Sequence, residues 1–156
     1  YDLLAREQPV ASDLRLIVSV VRITAELERI GDLSLRVAKL APEHELLGRS
    51  GQIFDLLAAL ADLALDHYRL ALRAFAAQST ALAEEVSAGS PEVSVLTDRL
   101  VGEVHRLAGD DAVPIAVKAM AAGQALSRID DHATILGSRL RYLFTGDPDH
   151  LAAEVR

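Results

Sequence analysis

From Asp13 to Ala41 the chain runs without proline and with a single glycine, Gly31, while apolar residues return every three or four positions. That rhythm predicts a long amphipathic helix. Leu14, Val18, Val21, Ala25, Glu28, Asp32 and Leu35 share one face, so two carboxylates interrupt an otherwise apolar stripe. Leu16, Val20, Ile23, Leu27, Ile30 and Val37 form a second stripe on the same segment. A buried carboxylate needs a partner, and two of them one turn apart repel unless a cation or a proton sits between them. Ahead of this helix, Pro9 pushes Gln8 out of the helical region, and Ser12 or Asp13 is placed to cap the start. Tyr1 to Glu7 reads as the last turns of an earlier helix, with upstream sequence expected. Pro42 ends the segment.

Gly48 to Gly51 predicts a turn and Gln52 to Ala77 the next helix. Its expected core stripe is Phe54, Ala58, Ala61, Leu65, Tyr68, Leu72 and Phe75; Asp55, Asp62, Asp66, Arg69 and Arg73 fall on another face. Ser79 or Thr80 caps a following segment, and Gly89-Ser90-Pro91 supplies a stop, a cap and a first-turn proline, so a break is expected there. Gly109-Asp110-Asp111 turns the chain into a last long helix from Ala112 to Phe144, with Pro114 tolerated in the first turn. Gly146 and Pro148 close it, and a charged tail, 147–156, is expected to fray. The fold class is all-α, an antiparallel bundle of four long helical segments with no sheet.

Composition narrows the function. Aromatics are 4% of the 156 residues while alanine and leucine dominate, which favours helices packed closely through small side chains. A net charge of −7 without a basic run argues against nucleic acid and against anionic lipid as partners. There is no cysteine, hence no disulfide and no thiolate metal site. Apolar runs are broken by charges well before about 18 residues, so no membrane span is predicted.

Leu27 to Asp32, LERIGD, is echoed by Leu126 to Asp131, LSRIDD, each inside a long helix. The echo points to a duplicated three-helix unit. Together with the opening QPVASDLR from Gln8 to Arg15, LERIGD resembles the third helix of PhoU-type phosphate-signalling regulators, in which a Glu-x-x-x-Asp pair follows a Gln-Pro opening. The resemblance implies residues 1–41 as the end of a first repeat, 48–146 as a second three-helix repeat and 147–156 as a tail. It also implies a cytoplasmic, non-enzymatic negative regulator of phosphate uptake. Such a protein couples a phosphate ABC transporter ATPase to a sensor histidine kinase, and a homo-oligomer is expected.

By the same resemblance Glu28, Asp32 and Asp131 are the metal-site candidates, with Fe, Zn or Mn as the metal. Carboxylates one turn apart suit such cations, their Cβ atoms being about 6 Å apart. The alternative is a local ion-pair ladder, Asp32 with Arg29 or Arg36 and Glu26 with Arg22. The second copy departs from the family pattern: Ser127 stands where the glutamate belongs, although Asp131-His132-Ala133 keeps the usual continuation. His132 is a ligand, a partner of Asp131, or purely structural. Asp62, Asp66 and His67 invite a second metal site, but a charged stripe beside an apolar one is normally solvated. Asp13 and Arg15 fit a structural role as cap and pairing group.

Two other classes remain as alternatives. A metal-storage bundle of the di-iron kind needs Glu-x-x-His pairs, and the chain has none. A histidine phosphotransfer module needs an exposed mid-helix histidine in basic surroundings; His105-Arg106 is a faint match beside Asp110 and Asp111, which repel a phosphoryl group.

Overall fold

A computed structural model describes residues 11–155, and the side chains of 12–151 within them. The expected helix end at Tyr1–Glu7 and the Pro9 boundary lie outside the described residues. Helix α1 spans Ala11–Ala38 and passes through a 3₁₀ turn, Ala41–Glu43, into the one-turn α2, His44–Gly48. Helix α3 runs Gly51–Ala76, α4 Thr80–Ser87, α5 Pro91–His105 and α6 Ala112–Thr145, with 3₁₀ turns at Pro148–Val155. No strand occurs among the described residues.

The punctuation follows local chemistry. Ser79 caps α4, its hydroxyl accepting from the Leu82 amide at 3.3 Å. Gly89 takes φ +74° between α4 and α5, and Pro91 opens α5 where its missing N–H costs nothing. Gly146, at φ +77°, ends α6 in the left-handed conformation and donates its N–H to the Tyr142 carbonyl at 2.8 Å. At the front, the cap expected at Ser12 or Asp13 is corrected: α1 has begun by Ala11, and Asp13 sits inside the first turn, where its charge favours the helix dipole. Arg15 packs against Gly146 rather than serving the start of its own helix. The tail also differs from expectation. Its 3₁₀ turns lie against α6, with Thr145 Oγ1 3.0 Å from His150 Nδ1.

Helix α6 is the axis of the bundle, and α1, α3, α4 and α5 all pack along it. Its buried positions are mostly small: Ala119, Ala122, Gly123, Ala125, Ala133 and Gly137. Small residues let neighbouring backbones approach, and Leu60, Leu100, Val86 and Leu140 then fill the interior. Gly137 is where the approach is tightest. A Cβ there would come within 2.5 Å of the Ser87 amide nitrogen and 2.9 Å of the Val86 carbonyl carbon, both backbone atoms of α4.

Two expected core stripes are corrected. On α1 the inward face is Ser19, Ile23, Glu26, Ile30 and Leu33, while Leu14, Val18, Val21 and Leu35 are exposed. Among the described residues α1 is covered by α6 along one face. A helix apolar on several sides offers more than one stripe, and the pattern alone does not select between them. On α3 the inward face is Ile53, Leu56, Leu57, Leu60, Ala64, His67, Ala71 and Ala74, while Phe54, Leu65, Leu72 and Phe75 point outward. The slim Leu/Ala face permits the close contact with α6 that a phenylalanine face would block.

Gly137→Ala is therefore expected to lose about 1–3 kcal/mol in chemical denaturation, because the clash is with backbone that cannot rotate away. Gly31→Ala, in open space on the exposed side of α1, is expected to gain about 0.5–1 kcal/mol. Equal effects of the two substitutions would contradict this packing.

Candidate functional site

Asp130, Asp131 and His132 follow one another on α6, and successive helical residues point about 100° apart. Asp130 therefore faces α3 while His132, about 200° around, faces α1. Each meets a buried partner of opposite type. His67 Nδ1 lies 2.6 Å from Asp130 Oδ1, and His67 Nε2 lies 2.9 Å from the Val86 carbonyl oxygen. A carbonyl oxygen only accepts, so Nε2 carries a proton and donates it. Burial pushes the His67 pKa down, but the Asp130 hydrogen bond, the Val86 carbonyl and the Asp130 charge together outweigh burial and raise it above 6.5. When the ring is protonated, both nitrogens donate, one to each of these partners.

On the opposite side of α6, His132 Nδ1 lies 2.7 Å from Glu26 Oε2. Glu26 is only 4% exposed. Its other oxygen lies 3.7 Å from Arg29 Nη1 and 3.9 Å from Arg139 Nη2. The buried carboxylate that α1 needs to compensate is thus Glu26, met by cations on two helices.

The carboxylates singled out in the sequence lie elsewhere. Glu28, Asp32 and Asp131 are exposed, which corrects the expectation that the first two interrupt a buried stripe. The reason is again the facing of α1: Glu26, Ile30 and Leu33 turn inward, and positions two residues from Glu26 and Ile30 turn out. Asp32 lines a cleft of about 570 Å³ between α1 and α6, together with Arg29, Arg36, Arg128 and His132. Partial burial of the Asp131 carboxyl, and then the Asp130 charge beside it, raise the Asp131 pKa above the usual carboxylate value. The expected ladder of Glu26 with Arg22 is replaced by Glu26 with Arg29, Arg139 and His132. Asp66 pairs with Arg69 at 3.2 Å on the surface, as a solvated charged face would. His67 turns away from that pair into the core, and the exposed His105 ends α5.

The chemistry of the donors bears on the implied metal. Two carboxylates one turn apart suit a hard cation, but among the described residues no group of three Asp, Glu, His or Cys side chains converges as a ligand set. Arg29, Arg36 and Arg128 line the same cleft as Asp32, and their charges oppose a cation there. These side chains do not complete a metal site by themselves, and no chemical step is routed through one.

Comparison with known proteins agrees with this architecture. Residues 1–41 match the PhoU domain model. The chain is 30% identical to a phosphate-specific transport system accessory protein PhoU homolog of Streptococcus pneumoniae serotype 4, over 93% of this chain and 68% of that one. The chain belongs to the PhoU family. Similar proteins include PhoU homologs of Rhizobium meliloti, 31% identical over 92% of this chain and 61% of that one, and of Pseudomonas putida, 32% identical over 92% and 57%. The chain thus spans about three-fifths of the length of several curated PhoU relatives it matches. No solved structure matches it. No helix among the described residues is long and apolar enough to cross a membrane.

The raised His67 pKa has a consequence for stability with a definite sign. A base whose folded pKa is raised contributes stability that is complete below the unfolded value of 6.5 and is lost as pH rises through the folded value. Urea midpoints are expected to fall as pH rises above 6.5 through the folded pKa of His67. Asp130→Ala is expected to cost about 3–5 kcal/mol, leaving the buried imidazole without its carboxylate, and to remove most of that decline. An unchanged pH profile in the variant would contradict the pairing.

Proposed function

We propose that this PhoU-family chain regulates phosphate uptake by protein contact and carries out no reaction of its own. The observation that supports this reading most is the similarity over nine-tenths of the chain to proteins named phosphate-specific transport system accessory proteins. In this reading the partners are the cytoplasmic ATPase of a phosphate ABC transporter and a sensor histidine kinase, and the chain restrains the response when phosphate is plentiful. The two repeats, 1–41 and 48–146, supply the interacting helices.

The outer faces of α1 and α3 suit such a role. Leu14, Leu16, Val18, Val20, Val21 and Leu35 on α1 are exposed, as are Phe54, Leu65, Leu72 and Phe75 on α3. Apolar area of this extent commonly marks an interaction surface, which also supports a homo-oligomer. Asp130 with His67 and Glu26 with His132, by contrast, hold helices together. In a pull-down from membranes containing the transporter, the chain is expected to retain the ATPase and the kinase. Val18→Glu with Val21→Glu is expected to abolish retention, with the helical spectrum unchanged. Sedimentation of the same variant reads whether that face also joins two copies. Retention of neither protein by the original chain would overturn the reading.

Metal binding through Glu28 and Asp32, with a weaker contribution from Asp131, is part of the same proposal; Fe, Zn or Mn suits these oxygens. Further ligands then come from outside the described residues. Elemental analysis is expected to show metal in the original protein and most of it gone after Glu28→Ala with Asp32→Ala. Equal metal content in the two proteins would remove these residues as ligands.

A further inference from the structure

The cleft between α1 and α6 has features that the regulatory reading does not use. The chain as a whole carries a net charge of −7, yet three guanidinium groups, Arg29, Arg36 and Arg128, line this one cleft against a single lining carboxylate, Asp32. Among the described residues neither Arg36 nor Arg128 is held in a hydrogen bond or close ion pair, and the Arg128 charge acts on Asp131 three residues along α6. Arg29 has only the 3.7 Å approach to Glu26, which His132 also contacts. His132, whose Nδ1 is held on Glu26, also lines the cleft, and the Gln124 amide about two turns earlier on α6 adds further donors to it. Arg29 and Arg128 are also the matching arginines of the echoed hexapeptides LERIGD and LSRIDD, so the duplication sets one on each wall.

We propose that this cleft binds a phosphorylated small molecule. Guanidinium forks match phosphoryl oxygens two at a time, and a concave site whose lining cations outnumber its carboxylates attracts an incoming anion. The size and shape favour a ligand larger than phosphate itself. Arg29 and Arg36 are separated by two helical turns, about 10 Å along α1, so engaging both takes more than one anionic group. The cleft of about 570 Å³ falls in the usual range for ligands of nucleotide size. Leu33, Leu40, Ala121 and Ala125 add apolar wall for the part of the ligand that is not phosphoryl. A nucleoside polyphosphate fits these requirements. Free phosphate shares the recognition chemistry and is the second source to be distinguished.

Calorimetric titration of the whole chain tests the assignment, with ATP and inorganic phosphate as separate probes and without magnesium, so that the arginines meet bare phosphates. ATP is expected to bind, and more tightly than phosphate. Arg36→Gln and Arg128→Gln, both at exposed positions where folding is not at risk, are each expected to weaken binding about tenfold or more. In protein stripped of metal beforehand, so that the proposed role of Asp32 as a metal ligand does not enter, Asp32→Asn removes the opposing carboxylate and is expected to tighten binding, a sign that a purely structural Asp32 would not produce. Arg73→Gln, on α3 away from the cleft, is expected to leave affinity unchanged. If phosphate binds as tightly as ATP with the same arginine dependence, the site is one for the free ion. If neither probe binds at about 1 mM, or if binding ignores the arginine substitutions, the assignment is wrong. The pull-down outcome does not bear on this result, because no partner protein is present in the titration.

Discussion

Two acid–histidine pairs on opposite sides of one helix, one buried and one part-buried, set the register of this bundle. Asp130 of α6 holds His67 of α3, and His132 of α6 holds Glu26 of α1. A charge taken out of water and left without its partner costs several kcal/mol, so each pair ties its two helices to one rotational setting. Sliding or rotating α6 against either neighbour would strand an imidazole and a carboxylate together. The Val86 carbonyl extends the same constraint to α4, and Arg139 reinforces it at Glu26. Apolar packing drives the association, but it is tolerant of small shifts; the pairs are not.

The small residues of α6 make the second half of the account. Gly137 brings α4 to backbone contact, and alanines along the same helix bring α3 close. With the interior filled by Leu, Ile, Val and Ala, the phenylalanines of α3 and several branched residues of α1 are left outside. The exposed apolar faces therefore follow from how the core is built. The cleft between α1 and α6 is a separate, charged surface of different chemistry.

Element boundaries were legible in the sequence because they depend on local residues. Ser79, Gly89-Ser90-Pro91 and Gly146 stop or start helices through their own backbones, and the helices follow their positions. The facing of α1 and α3 was not legible in the same way, because both are apolar on several sides and tertiary contact selects the buried face. A signal was nonetheless present. Ser19, Ile23, Glu26, Ile30 and Leu33 step by four and three, as do Leu60, Ala64, His67, Ala71 and Ala74. Each run carries one ionisable residue in an otherwise compact stripe, and those two residues are the buried partners of α6. The family motif drew attention to Glu28 and Asp32, one helical turn apart on the outer side, where a short pattern stands out more than a lone Glu or His does. The pairing of His67 with Asp130 spans 63 residues, a distance at which no local spacing rule operates.

The titration of His67, followed through the nitrogen shifts of its imidazole by NMR, tests the clamping of α6 most directly. In the original chain His67 is expected to titrate above 6.5. In Asp130→Asn the carboxylate is gone and burial becomes the dominant influence, so the midpoint is expected to fall markedly. A His67 that titrates at or below 6.5 in the original chain, or whose midpoint ignores the loss of Asp130, would contradict a buried ion pair between α3 and α6.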